Sequence, residues 1–304
     1  MMLQLQQVNR IWHQAPHNAF TDLLDFNGAL WCVCREGNTH VSSDGALRIL
    51  RSEDTTNWHS VALIHDSSAD LRDAKLSLTP DGKLLLLGAG ALHDRSRYSH
   101  QSYIWQSEDG VNWSAATAVG EHNIWLWRMA WQHKNLYALG YKIGKPHFVR
   151  LYHSADQCNF SAVADIYSGS YANESGLLFN SSGTMLCLLR RDPEHGLFGQ
   201  SKPPYTDWHW QDIGCRIGGP QWLQLPDGRL LCCVRLYDNE VRTSLCWLDR
   251  ATGRLTEALA LPSGGDCSYA GMVLRGDTLY ISYYSSHEDT TAIYLAVVSL
   301  AADD

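Results

Sequence analysis

The feature that most limits what this chain can fold into is a turn-plus-strand pattern written six times along it. The copies read NGALWCVCRE, DGKLLLLGAG, KNLYALGYK, SGTMLCLLRR, DGRLLCCVRL and GDTLYISYYS. Their leading apolar residues are Leu30, Leu84, Leu136, Met185, Leu230 and Leu279, at intervals of about 45–54 residues. Ahead of each lies another apolar run: FTDLLDF, AKLSLT, WRMAW, ESGLLF, PQWLQL and YAGMVL. Two apolar runs joined by Asp-Gly or a similar pair make a β-hairpin. Several short strands per repeat at this period are the mark of propeller blades. A further element recurs after a third strand: SEDTTNW from Ser52, SEDGVNW from Ser107 and SADQCNF from Ser154. Its Ser and Asp fold over a tight turn by bonding the backbone N–H groups, and its aromatic packs on the blade. Helical periodicity is absent almost everywhere. The expectation is an all-β chain, one domain over 1–304, forming a six-bladed β-propeller of four-stranded antiparallel blades. The last unit ends with TAIYLAVVSL and has three clear strands, so the N-terminal QQVNRIWH is expected to supply its fourth and close the ring.

Composition fits a packed protein, with 45% hydrophobic and 18% charged residues. A formal net charge of −8 argues against a general nucleic-acid or membrane-surface binder. No run approaches the roughly 18 apolar residues of a membrane-spanning helix. MMLQLQQVNRIWHQ lacks the basic-then-apolar order of a signal peptide, so a cytoplasmic location is expected, with secretion by another route left open. Nine cysteines show no CxxC pair or Cys/His cluster, and neither a metal site nor a cofactor is expected. Cys32, Cys34, Cys187, Cys232, Cys233 and Cys246 fall in apolar runs and read as small core residues of a reducing compartment; one or two disulfides in a secreted protein is the alternative. The twelve tryptophans suit either a sugar platform or the filling between sheets.

The repeat carries a geometric consequence. If the Asp-Gly hairpins lie at the bottom, innermost strands begin and second strands end at the top. The second-strand ends carry Arg35-Glu36, Tyr141-Lys142, Arg190-Arg191-Asp192, Arg235 and Tyr284 through Glu288. The innermost strands begin with Asp70, Arg72 and Asp73, then Arg128, Asn173-Glu174, and Asp266 through Tyr269. One polar face is therefore expected around the axis. Arg35, Arg190 and Arg235 share a register, five residues past the leading apolar position, and suit recognition of an anion by paired N–H donors. The alternative is that each ties its blade to a neighbour's acid.

Among the acids, Asp44 lies in the overhanging loop EGNTHVSSDG beside His40, where it could protonate a leaving glycosidic oxygen or be a plain Asp-Gly turn. Glu174 and Tyr269 begin the inner strands of blades four and six. A carboxylate beside a tyrosine hydroxyl can take its proton and make it a nucleophile; otherwise Tyr269 is a stacking wall residue. In DLRDAK, Asp73 is a transition-state stabiliser or base, or Asp70 and Asp73 together hold Arg72. His287 and Glu288, at the top of blade six, are candidates to bind substrate hydroxyls.

These segments resemble the sialidase (neuraminidase) superfamily over most of the chain. The SEDTTNW, SEDGVNW and SADQCNF turns resemble a shortened Asp-box (BNR) repeat. The rest of the likeness rests on REGNTH with SSDG, NESGLLF with LLRRD, GGPQWLQLPDGRLL, and SGGDCSYAGMVL with SYYSSHE. The resemblance implies Asp44 as acid/base, Tyr269 as nucleophile, Glu174 as its partner and Arg190 as an anion-binding arginine. It leaves Arg235 and Arg242 open as the next one. The family's first triad arginine has no counterpart in HNAFTDLLDF. The chain also resembles an uncharacterised bacterial sialidase-like group, through its REG, LRD and SSHE segments.

The leading expectation is an exo-acting glycoside hydrolase that removes a terminal, acidic sugar from a carbohydrate partner. Two alternatives stand beside it: a glycosidase using the Asp73 and Glu174 carboxylates on a neutral sugar, and a non-catalytic carbohydrate-binding or protein-interaction propeller.

Overall fold

The computed structural model describes residues 2–301; residues 1 and 302–304 of the expected domain lie outside the described residues. Six antiparallel four-stranded sheets follow one another around an axis, and the described residues form no helix. In chain order the innermost strands are His17–Phe26, Ala69–Leu78, Ile124–Gln132, Tyr171–Phe179, Ile217–Gln224 and Cys267–Arg275. Each turns through a hairpin into its second strand: Ala29–Gly37, Leu84–Leu92, Asn135–Lys142, Met185–Asp192, Leu230–Leu236 and Thr278–Ser285.

The N-terminal strand Met2–Trp12 pairs antiparallel with Ala292–Ala301 as the outermost strand of blade six. First and last segments thus share one sheet, and no blade edge is left between them. Trp12 then reaches across the seam, its indole N–H donating to Glu36 of blade one at 2.5 Å.

Alternate residues of each sheet bury leucine, valine, cysteine and aromatic side chains against the neighbouring blade. All nine cysteines are free, and seven are buried. Most tryptophans fill these layers. The three Ser-x-Asp turns have one geometry. Asp54, Asp109 and Asp156 each accept the backbone amides two and three residues on, at 2.7–3.0 Å. Trp58 and Trp113 close the first two turns by donating to Thr55 and Gly110 carbonyls.

Every inner strand breaks register near its top, between Ala19/Asp22, Arg72/Lys75, Leu126/Arg128, Ala172/Ser175, Gly218/Gln221 and Ser268/Gly271. A bulge adds twist and re-aims a side chain. Phe20, Asp73, Gly219 and Tyr269 sit in these bulges with left-handed φ of 56°, 50°, 54° and 51°. Asp73, Glu174 and Tyr269 were expected at strand beginnings. They lie instead inside longer strands, at the point where pairing is interrupted, because two or more residues ahead of each still bond to the second strand.

Blades one and two are locked by a buried ion pair. Arg35 Nη2 and Nε lie 2.9 and 3.0 Å from Asp70 Oδ1, while Asp70 Oδ2 accepts Arg72 Nε at 2.6 Å. Arg35 also donates to the Thr39 and Ser42 carbonyls, which pulls the loop after its strand down over it. Gly45 is required there, since a Cβ would stand 1.8 Å from Asp70 Oδ1. Arg35 is 0% exposed. Removing one member of a buried pair strands the other charge. Arg35→Ala is expected to lower unfolding stability by about 3–5 kcal/mol. Urea unfolding measures this, and an unchanged midpoint would show that the clamp is dispensable.

Candidate active site on the propeller axis

The bulges leave backbone groups unpaired, and buried polar groups require partners. Side chains from other blades supply them. Glu174 Oε2 accepts Gly219 N at 2.9 Å, Asp22 Oδ2 accepts Leu76 N at 2.9 Å, and Thr21 Oγ1 donates to the Tyr269 carbonyl at 2.8 Å. Arg128 joins Asp22 at 2.9 Å and donates to the Ala270 carbonyl. The axis is therefore polar because backbone groups at the bulges, and the Leu76 amide on an inner strand edge, need partners there.

On this floor the Tyr269 hydroxyl donates to Glu174 Oε1 in a short hydrogen bond. Arg190 Nη1 lies 3.2 Å from the Tyr269 oxygen and 2.7 Å from Glu174 Oε1. Arg235 stacks its guanidinium 5.3 Å from the centre of the Tyr269 ring. Gly219 lets this ring approach, since a Cβ there would stand 2.8 Å from it. Burial first, then the Glu174 carboxylate, push the Tyr269 hydroxyl well above its ordinary pKa, with Arg190 and Arg235 opposing. The phenol rests protonated, with a carboxylate already bonded to its proton.

Asp73 is the one acid of this group whose buried Oδ1 has no hydrogen-bond partner among the described residues. Burial pushes its carboxyl up to about 6, with Lys75 opposing and Glu174 adding. Lys75 is itself buried 5.2 Å over the Trp127 ring, and burial followed by Arg128 brings it down to about 8.

Toward the mouth, Asp266 divides its two oxygens. Oδ1 accepts Tyr284 at 2.6 Å and Arg235 at 3.2 Å; Oδ2 faces His40 Nδ1 at 2.6 Å and His17 Nε2 at 3.4 Å. Burial works against ionisation here, but bonds from His17, His40 and Tyr284 hold the carboxyl below the usual carboxylate range. His40 packs edge-on to Phe20, and Phe20 to Tyr269, at 5.1 Å each. Among the described residues, His17, His40 and Asp266 bring their donor atoms close enough together to hold one metal ion.

The remaining sequence candidates separate. Arg35 is sealed by Asp70 and its loop, and Arg72 lines the wall paired to Asp70. Arg235 joins Tyr269, whereas Arg242 bonds Glu257 at 2.8 and 2.6 Å, away from the tyrosine. His287 turns to Ser285 and the Tyr294 ring, and Glu288 bonds Arg10 and Tyr294, so both tie the closing strands together. Asp44 is exposed. The Ser42 hydroxyl and the Asn38 amide hold it below the usual range, with its carboxylate 3.1 Å from that amide. Sequence reasoning overlooked His17, Phe20 and Lys75. The legible signal was position: Phe20, Asp73, Glu174 and Tyr269 each fall about ten residues before the leading apolar residue of the next strand.

No family model and no curated protein sequence matches the chain. Solved structures share its fold. A Dyadobacter fermentans protein of unknown function superposes with TM-score 0.88 at 16% identity, over 98% of this chain and 99% of that one. A Penicillium chrysogenum α-L-arabinanase complexed with arabinobiose gives 0.75 at 15%, over 97% and 98%. Trypanosoma rangeli sialidase in complex with sialic acid gives 0.68 at 14%, over 94% of this chain and 54% of that one.

The raised Asp73 pKa fixes a stability dependence. Between pH 4 and pH 6 the folded state keeps a proton that the unfolded state has released, so this contribution to stability falls as pH rises. A rise of about two pKa units corresponds to about 3 kcal/mol. Asp73→Asn should abolish this component. Unfolding free energies of both proteins across that window should diverge by about 2–3 kcal/mol in favour of the variant at the upper end; parallel curves would overturn the assignment.

Proposed function

We propose that this chain is an exo-acting glycoside hydrolase that cleaves a terminal sugar bound against the Tyr269 hydroxyl. The observation carrying this reading is the convergence, from three inner-strand bulges, of a tyrosine bonded to a carboxylate and a separate unpartnered acid. A nucleophile bonded to its base and a distinct proton donor are the two parts a retaining glycosidase needs. Tyr269 Oη attacks the anomeric carbon and passes its proton to Glu174. Asp73, protonated below about pH 6, gives its proton to the departing glycosidic oxygen. Water then attacks the sugar–tyrosine bond as Asp73 takes a proton back, and Glu174 returns the tyrosine's proton. Asp73 is a better donor than Asp44, whose ionised form is stabilised by its own loop.

Arg190 and Arg235 flank the tyrosine and support an acidic sugar, since a neutral phenol approaches an anion without repulsion. One observation favours a neutral sugar instead. Arg190 is already ion-paired with Glu174 and Asp192, Arg235 with Asp266, and the blade-one bulge carries Phe20 rather than a third arginine. The glycosidase structures that share the fold include both a sialidase and an arabinanase, and so agree with either sugar.

The test is hydrolysis of aryl sialosides, uronides, neutral pyranosides and furanosides. Tyr269→Phe should cost about 10⁴-fold or more in kcat. Asp73→Asn should cost about 10²–10⁴-fold, with the loss smaller for better leaving groups. Asp44→Asn should cost only a few-fold. Wild-type kcat should fall as pH rises above about 6, the region where Asp73 loses its proton. Turnover surviving Tyr269→Phe would move the chemistry to the Asp73 and Glu174 carboxylates. A silent panel with folded protein would favour a sugar-binding module.

A further inference from the structure

His17, His40 and Asp266 come from three separate parts of the chain: the start of the blade-one inner strand, the loop after its second strand, and the approach to the blade-six inner strand. Their three donor atoms lie within 4.8 Å of one another. The two rings stand nearly perpendicular, at 82°, with centroids 5.4 Å apart, so they do not stack on each other. Both instead turn a nitrogen to one carboxylate oxygen.

We propose that these three groups form a binding site for a divalent transition-metal cation, with zinc as its reference occupant. His17 Nε2, His40 Nδ1 and Asp266 Oδ2 would be the ligands, and the fourth position would open to the axial funnel. The donor set selects the ion class: two imidazoles and one carboxylate suit zinc, nickel or cobalt rather than calcium or magnesium. The spacing agrees. Metal–ligand bonds of about 2.0–2.2 Å arranged tetrahedrally put neighbouring donors about 3.3–3.5 Å apart. His17 Nε2 and Asp266 Oδ2 stand 3.4 Å apart, at the long end for a hydrogen bond and at the spacing of two ligands on one ion. His40, half exposed on its loop, can move back from its 2.6 Å contact.

The surroundings hold the carboxylate ligand in place. Asp266 Oδ1 is held by Tyr284 and Arg235, and the Asp266 backbone amide by Ser286 at 2.8 Å. Fixing the non-ligating oxygen orients the other one. The site also spans the seam between blades six and one, above Phe20 and hence beside Tyr269. Resting on the glycosidase reading, the open position would take a hydroxyl or carboxylate oxygen of the bound sugar.

Zinc titration of chelator-stripped protein, without any sugar, tests the site apart from that reading. Wild type is expected to bind one Zn²⁺ per chain. His40→Ala and Asp266→Asn should weaken binding by about 100-fold or more. His195→Ala, which removes an exposed imidazole paired with Asp212 elsewhere, should leave it unchanged. Co²⁺ should give the visible absorption of a four-coordinate site in wild type and lose it in His40→Ala. Because the His40 side chain is half exposed, that variant should remain folded with a cooperative melting transition. Absence of stoichiometric binding, or wild-type affinity in His40→Ala, would overturn the proposal and leave a histidine–aspartate hydrogen-bond cluster.

Discussion

Each of the six inner strands interrupts its pairing near the top, and much of the axial chemistry follows from that. Each bulge frees backbone donors and acceptors in a place water barely reaches. The chain answers with Thr21, Arg128 and Glu174, which cross between blades to satisfy them, while Asp22 does the same for the Leu76 amide on an inner strand edge. Glu174 illustrates the double duty. One oxygen holds the Gly219 amide and so fixes blade five to blade four, and the other holds the Tyr269 hydroxyl.

The arginines divide by the same geometry. Arg35 and Arg235 both pair with the residue just before a bulge, Ala19 and Gly218, whereas Arg190 stands opposite its bulge. An equal spacing in sequence therefore did not give an equal position. Arg35 is closed off by Asp70 and a folded-down loop. Arg235 reaches the Tyr269 ring face, and Arg190 its hydroxyl. Arginines that look interchangeable in the repeat thus become a clamp between blades, a ring-stacking cation and an anchor of the tyrosine–glutamate pair.

The blade count, the antiparallel hairpins and ring closure by the N-terminal strand were legible because they depend on local patterns: alternating apolar runs, Asp-Gly turns and a fixed period. That polar residues share one face was legible too, since it follows from strand direction alone. The bulges were not, because one extra residue in a strand leaves no compositional trace. For the same reason the isolation of Asp73 and the sealing of Arg35 were hidden, as both depend on partners from another blade. Arg242 and His287 show the converse. Each sits near a strand end that the repeat directs upward, yet their side chains turn outward to Glu257 and Tyr294. The meeting of His17 with Asp266 across the seam carried no signal of spacing, since only ring closure brings the two ends together.

Burial raises the pKa of both Tyr269 and Asp73, and the Glu174 charge adds to each. Tyr269 therefore stays protonated, whereas Asp73 holds its proton only below about pH 6. For Tyr269 the proton already has a receiving oxygen in contact, so the group can become a nucleophile without a free phenolate ever forming in the floor. Asp73 has no such acceptor among the described residues, so in the proposed mechanism the proton it holds below about pH 6 goes to the departing oxygen. In that mechanism one carboxylate, bonded to one acid and near another, separates attack from protonation. The distinction rests on one short hydrogen bond, and that bond exists because the blade-four and blade-six bulges turn their side chains toward the same point on the axis.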